Sequence, residues 1–110
     1  MGHADTLGTF QQLAMLAVLR AGADAHGARL LDELETHAGR RVTVSTIYVT
    51  LDRLEGKGLV RSWKGSSTPV RGGKARRFYE LTPRGLEALR DSREVMERMW
   101  DGVDAAGRAS

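Results

Sequence analysis

The chain has 110 residues, 41% hydrophobic and 28% charged, a balance that suits one globular domain with a modest core. It has no cysteine, which excludes disulfides, thiol redox sensing and cysteine-ligated metals. Its three histidines, His3, His26 and His37, stand singly rather than at metal-ligand spacing, so no metal or other cofactor is expected. The net charge is +3, no apolar run approaches the roughly 20 residues of a membrane span, and no signal peptide is predicted, so the expected location is cytoplasmic.

The first helix is predicted from Leu7 to Ala21. Phe10, Leu13, Ala14, Leu16 and Ala17 recur at 3–4 spacing, and Val18 and Leu19 widen the stripe. Gly22 with Ala23 and Asp24 marks its end. A second helix is expected from about Ala25 to Ala38, with Gly27, Leu30, Leu31 and Leu34 inward and Arg29, Asp32, Glu33 and Glu35 outward; Gly39 stops it. Thr43 is placed to cap a third helix, in which Ile47, Leu51 and Leu54 form one buried stripe before Gly56 and Gly58. Two adjacent helices across a short glycine-containing turn make a helix-turn-helix.

Leu59–Lys64 and Arg76–Leu81 read as two strands, rich in β-branched and aromatic residues. The Gly/Ser/Pro-rich connection between them, Gly65 to Lys74, makes a long basic hairpin tip. Thr82 and Pro83 start a last helix running to about Val103. Three helices, a hairpin and a further helix give a mainly α fold with a small β-hairpin: a winged helix-turn-helix plus a C-terminal dimerisation helix. The expected divisions are residues 1–82 for DNA binding, 83–104 for the dimerisation helix and 105–110 for a frayed tail.

Charge is unevenly spread. Between Lys57 and Arg84 stand eight basic residues and one acid, Glu80, a net of +7, which leaves −4 for the rest of the chain. Such a stretch is either an electrostatic footprint for a polyanion or a solvated charged loop.

The sequence resembles the PadR-type bacterial transcriptional regulators, in their short form with one C-terminal helix. The resemblance covers nearly the whole chain. It begins at Leu7-Gly8-Thr9-Phe10, includes Ala25-His26-Gly27, and is densest from Val42 to Glu55. It continues through Lys57-Gly58-Leu59-Val60 and Thr68 to Tyr79, and closes on Leu81-Thr82-Pro83-Arg84-Gly85. Ser45 stands where the family commonly has Gly, and Val49 where it often has Pro. The resemblance implies a homodimer on a roughly palindromic operator, usually as a repressor, with the C-terminal helix supplying the dimer contact. Some relatives respond to phenolic or other aromatic compounds, which makes a small aromatic effector a candidate partner.

With Ile47, Leu51 and Leu54 inward, the opposite face of the third helix is Ser45, Val49 and Asp52, flanked by Thr46, Tyr48 and Arg53. The N-terminal part of a recognition helix approaches bases most closely, so Ser45 and Thr46 are the candidates for hydrogen bonds to base edges. Val49 suits a thymine methyl, or is a surface valine. Thr43 at the helix N-terminus suits a phosphate. Tyr48 either aims its hydroxyl at a phosphate, the contact the family suggests, or is a core tyrosine. Arg71 and Lys74 flank Gly72-Gly73 in the hairpin tip and suit a minor groove. Arg76 and Arg77 should alternate in direction, so that at most one faces DNA.

On the last helix Leu86, Leu89, Met96, Trp100 and Val103 form a seam interrupted by Arg93, with Val95 and Met99 beside it. It predicts a partner helix from a second subunit, against the alternative of packing on the first helix of the same chain. Trp100 is expected to be an interface residue. In relatives with a ligand-stacking tryptophan, that residue falls about one helical turn earlier, near Met96. No nucleophile–base pair, carboxylate dyad or phosphate loop marks an enzyme. The rival function is a winged helix used for protein–protein contact without specific DNA binding.

Overall fold

The computed structural model describes residues 7–65, 76–103 and 106–108. In chain order the elements are α1 (Thr9–Ala21), α2 (Gly27–Ala38), α3 (Val44–Gly56), β1 (Val60–Lys64), β2 (Arg77–Leu81) and α4 (Pro83–Trp100). The two strands pair antiparallel, with Val60 opposite Leu81 and Lys64 opposite Arg77. The expected mainly α winged helix with one hairpin is therefore the observed fold.

Met15, Leu30, Ile47, Leu51, Leu54, Leu59, Val60 and Tyr79 are the largest fully buried side chains, so every element except α4 contributes to the centre of the core. α1 turns inward most of the side its spacing suggests, since Ala14, Ala17 and Val18 are buried and Phe10 and Leu13 pack against the core, but it adds Met15 and leaves out Leu16 and Leu19. Met15 is fully buried, whereas Leu16 and Leu19 are 43% and 44% exposed. Residues 13–19 are all apolar, so periodicity leaves the limits of the buried side open and tertiary packing chooses them.

α2 starts two residues later than expected. Ala25 and His26 are not helical: the Tyr79 amide donates to the Ala25 carbonyl at 2.9 Å, and His26 forms a β-bridge with Phe78. The segment before α2 thus adds a short third pairing to the hairpin. Gly39 ends α2 in the left-handed region (φ 63°), the conformation glycine adopts most cheaply. Glu33, expected on the outer side of α2, is buried. Arg20 of α1 donates to it at 2.9 Å, and Arg29 at 3.1 and 2.8 Å. Two guanidiniums, one from α1 and one a turn earlier on α2 itself, cover the carboxylate, which is how a charge comes to be buried. They also hold its pKa below the usual carboxylate range, Arg29 first and then Arg20.

Thr43 caps α3 as expected, its hydroxyl accepting from the Thr46 amide at 3.2 Å. Thr82 caps α4 in the same way, accepting from the Gly85 amide at 3.0 Å, and its hydroxyl donates to the Gly58 carbonyl at 2.7 Å. Gly85 is buried against Leu59, where any Cβ would overlap the Leu59 carbonyl. α4 ends at Trp100 rather than Val103, because Asp101 leaves the helical region (ψ 128°) and Gly102 adopts φ 81°. Within α4, Gly85 and Leu89 are the buried residues; beyond them the helix leaves the body.

Candidate nucleic-acid interface

α2 and α3 are joined by the five residues Gly39–Thr43, and α3 presents one face to solvent. Ser45, Thr46, Asp52 and Arg53 are exposed there, and Val49 is 50% exposed. Thr43 and Thr46 are tied together at the cap, their hydroxyls 3.0 Å apart. Ser45, two positions past the Thr43 cap, is the outward polar side chain of the first turn.

Tyr48 is half-buried. Its ring lies 6.2 Å from that of Tyr79, and its hydroxyl reaches the first turn of α2 beside Gly27. That end of α2 has no side-chain cap and no acid in its first turn. The Tyr48 hydroxyl therefore sits next to helix amides that favour an anion.

An open groove of about 630 Å³ runs between α2, α3 and β2. Gly27, Leu31, Val44 and Tyr48 line its helical side, and Asp52, Arg76 and Arg77 its rim. Strand alternation does not separate the two arginines. Arg76 extends the pairing with the β1 side, its carbonyl accepting from the Gly65 amide at 2.7 Å, yet both arginines line the groove. Their tethers differ. Arg76 lies 3.4 Å from the His26 ring, whose Nε2 is 3.3 Å from an Asp24 carboxylate oxygen. Arg77 donates to the Ser62 hydroxyl at 2.6 Å. Tyr79 also lines the groove; burial, and after it the Asp52 charge, push its phenol up to about 12. Its hydroxyl is buried without a hydrogen-bond partner among the described residues.

Arg71 and Lys74, the expected tip residues, lie outside the described residues. Sequence does not single out Lys64, yet the register sets it directly opposite Arg77. Two cations side by side on one face of a hairpin are destabilising, and an anion would relieve them. Glu55 and Ser62, equally silent in the sequence, connect α3 to the hairpin. Only the strand register could point to Lys64 or Ser62.

Of the last-helix seam, Leu89 is buried and Leu86 and Val103 are half-buried. Met96 and Trp100 are 56% and 62% exposed, with Val95 and Met99 exposed beside them. Among the described residues no three His, Asp or Glu side chains are grouped to hold a metal, and no helix is long and apolar enough to cross a membrane.

Residues 15–91 match the model of the transcriptional regulator PadR-like family. A transcriptional regulator of Mycobacterium tuberculosis is 43% identical over 93 residues, which cover 82% of each chain. Among solved structures, a PadR family transcriptional regulator from Eggerthella lenta superposes with a TM-score of 0.66 at 30% identity, over 84% of this chain and 78% of that one. A PadR-like transcriptional regulator from Bacillus cereus has a TM-score of 0.62 at 22% identity, over 84% of both chains, and shares the fold. These relatives are regulators rather than enzymes, and the chain belongs to the PadR-like family of transcriptional regulators.

Proposed function

We propose that this regulator binds double-stranded DNA sequence-specifically, as a homodimer on a near-palindromic operator, and represses transcription by occupying that site. The observation that carries the reading is the juxtaposition of the exposed N-terminal face of α3 with a groove rimmed by Arg76 and Arg77. A helix of this kind fits the major groove, while cations beside it hold the phosphate backbone. Ser45 and Thr46 read base edges, and Val49 meets a thymine methyl. Thr43, Tyr48, Arg53, Arg76 and Arg77 contact phosphates, and Arg71 and Lys74 extend the contact from the hairpin tip.

Residues 1–82 form the DNA-binding unit in this reading, and α4 (Pro83–Trp100) is the dimerisation helix. Support for the second comes from α4, whose distal half carries Val95, Met96, Met99 and Trp100 into solvent. Pairing with a second copy would bury that apolar side. Leu86 continues the same side toward the body, where Leu89 is already buried in the core, and Val103 follows beyond the end of the helix; Trp100 is an interface residue in this reading.

Selection of duplexes from a random pool tests the whole reading. A two-fold symmetric consensus is expected, and the Ser45→Ala variant should select a different one. Recovery of no consensus by the wild-type protein would instead favour a protein–protein module.

A further inference from the structure

The hairpin and the recognition helix are joined by three polar side chains. Glu55, in the last turn of α3, accepts from the Ser62 amide at 3.2 Å. The Ser62 hydroxyl lies 2.9 and 3.0 Å from the two Glu55 carboxylate oxygens and donates its one proton to them. With that proton committed, the Ser62 oxygen is left as an acceptor, and Arg77 donates to it at 2.6 Å. The three groups form a directional chain from carboxylate through hydroxyl to guanidinium. Each link polarises the next, so Arg77 feels the Glu55 charge without touching it.

This arrangement does more than close a gap in the fold. A direct ion pair between Glu55 and Arg77 would consume two of the guanidinium's donors and neutralise it. A single bond to serine fixes the group and leaves its other donors for the groove. In that groove Arg77 stands with Arg76 and Tyr48, and on the hairpin it faces Lys64. Two opposed cations, one of them anchored, fit a phosphodiester better than they fit each other. Arg76 is held differently, at 3.4 Å from a histidine ring that also neighbours Asp24.

We propose that Ser62 and Glu55 are positioning residues for the DNA contact: they hold Arg77 as the phosphate-binding arm of the hairpin and register it to the recognition helix. The proposal rests on the DNA-binding reading above. It distinguishes Arg77 from Arg76 and makes the helix and the hairpin arm one contact surface.

The test uses the full chain and a fluorescently labelled mixed-sequence duplex, followed by anisotropy over a potassium chloride series. Arg77→Ala should weaken binding about tenfold and flatten the salt slope by about one unit, the change expected when one phosphate is no longer neutralised. Ser62→Ala should weaken binding about threefold or more and flatten the slope in the same direction, although it removes no charge. Adding Ser62→Ala to Arg77→Ala should cost nothing further, and Ser62→Thr, which keeps the hydroxyl, should restore binding. Glu55→Asp keeps the charge but draws the carboxylate back from Ser62, and should show the same loss and the same non-additivity, so the proposal stays testable if Ser62→Ala melts early. Ser62→Ala binding like wild type, or losses that add in the double variant, would overturn the proposal and leave the DNA reading standing. A wild-type protein showing no salt-sensitive association defeats both.

Discussion

The hydroxyl of Tyr48 occupies the space that a side chain at Gly27 would need. A Cβ there would lie 2.6 Å from that oxygen and 2.8 Å from Cγ2 of Val44. The His26-Gly27 pair thus has a packing reason: His26 bridges to the hairpin and Gly27 makes room for α3. Gly27→Ala should destabilise the fold by about 1–3 kcal/mol, the usual range for overpacking, despite alanine's better helix propensity. Tyr48→Phe removes the offending oxygen. Thermal melting of the double variant should recover part of the loss, and a Gly27→Ala protein as stable as wild type would contradict the geometry.

Glu33 makes stability sensitive to acid. Its folded pKa is lowered by Arg29 and Arg20, so the folded state binds fewer protons than the unfolded state in this range. Its contribution is present above the ordinary value of 4.5 and is lost as pH falls through the lower folded value. Denaturant melts from pH 6 to pH 3 should show wild type losing more stability than Glu33→Gln, which is less stable at pH 6 and flatter below it. Parallel curves for the two proteins would remove Glu33 from the acid response.

Tyr79 has the opposite sign and acts at the opposite end of the pH scale. Its folded value of about 12 lies above the ordinary 10.0, so its contribution is complete below pH 10 and fades as pH rises toward 12. Tyr79→Phe removes a buried hydroxyl that has no partner among the described residues, and should leave neutral-pH stability unchanged or raise it by about 1 kcal/mol. It should also remove this part of the alkaline loss. A destabilised phenylalanine variant at pH 7 would mean that the hydroxyl is hydrogen-bonded in solution.

The distal half of α4 can be tested apart from DNA. Met96→Glu together with Trp100→Glu places two carboxylates on its apolar side, on a stretch with no buried residue of its own. Light scattering should change from a dimer to a monomer at micromolar concentration. The melting temperature should then lose its dependence on protein concentration. A wild-type protein that is already monomeric there would remove the dimer from the proposed function.

The elements that sequence makes legible are those with local chemistry. Thr43 and Thr82 cap helices through amides three residues on, and Gly39 stops α2, so these boundaries follow from neighbouring residues. Which of Met15, Leu16 and Leu19 on α1 faces the core is not legible, because an all-apolar stretch carries no period. Glu33 reads as an outward residue because its burial depends on Arg20 from another helix. The same limit hides Ser62 and Lys64, whose roles come from strand register. The buried stripe of α3 places Ser45, Val49 and Asp52 on the opposite face, flanked by Thr46, and that face is solvent-accessible as expected.

Thr82 has a mechanical consequence. One hydroxyl fastens the start of α4 to the Gly58 carbonyl, two residues beyond the end of α3. With 18 residues, α4 is about 27 Å long, and its distal half extends from this joint with no buried residue. A swing of about 5° at the joint moves its far end by about 2 Å over that length. The angle between α4 and α3 is held within two residues of Gly58, by the Thr82 hydroxyl, by the Thr82 amide on the Leu59 carbonyl at 3.0 Å and by Gly85 packed on Leu59.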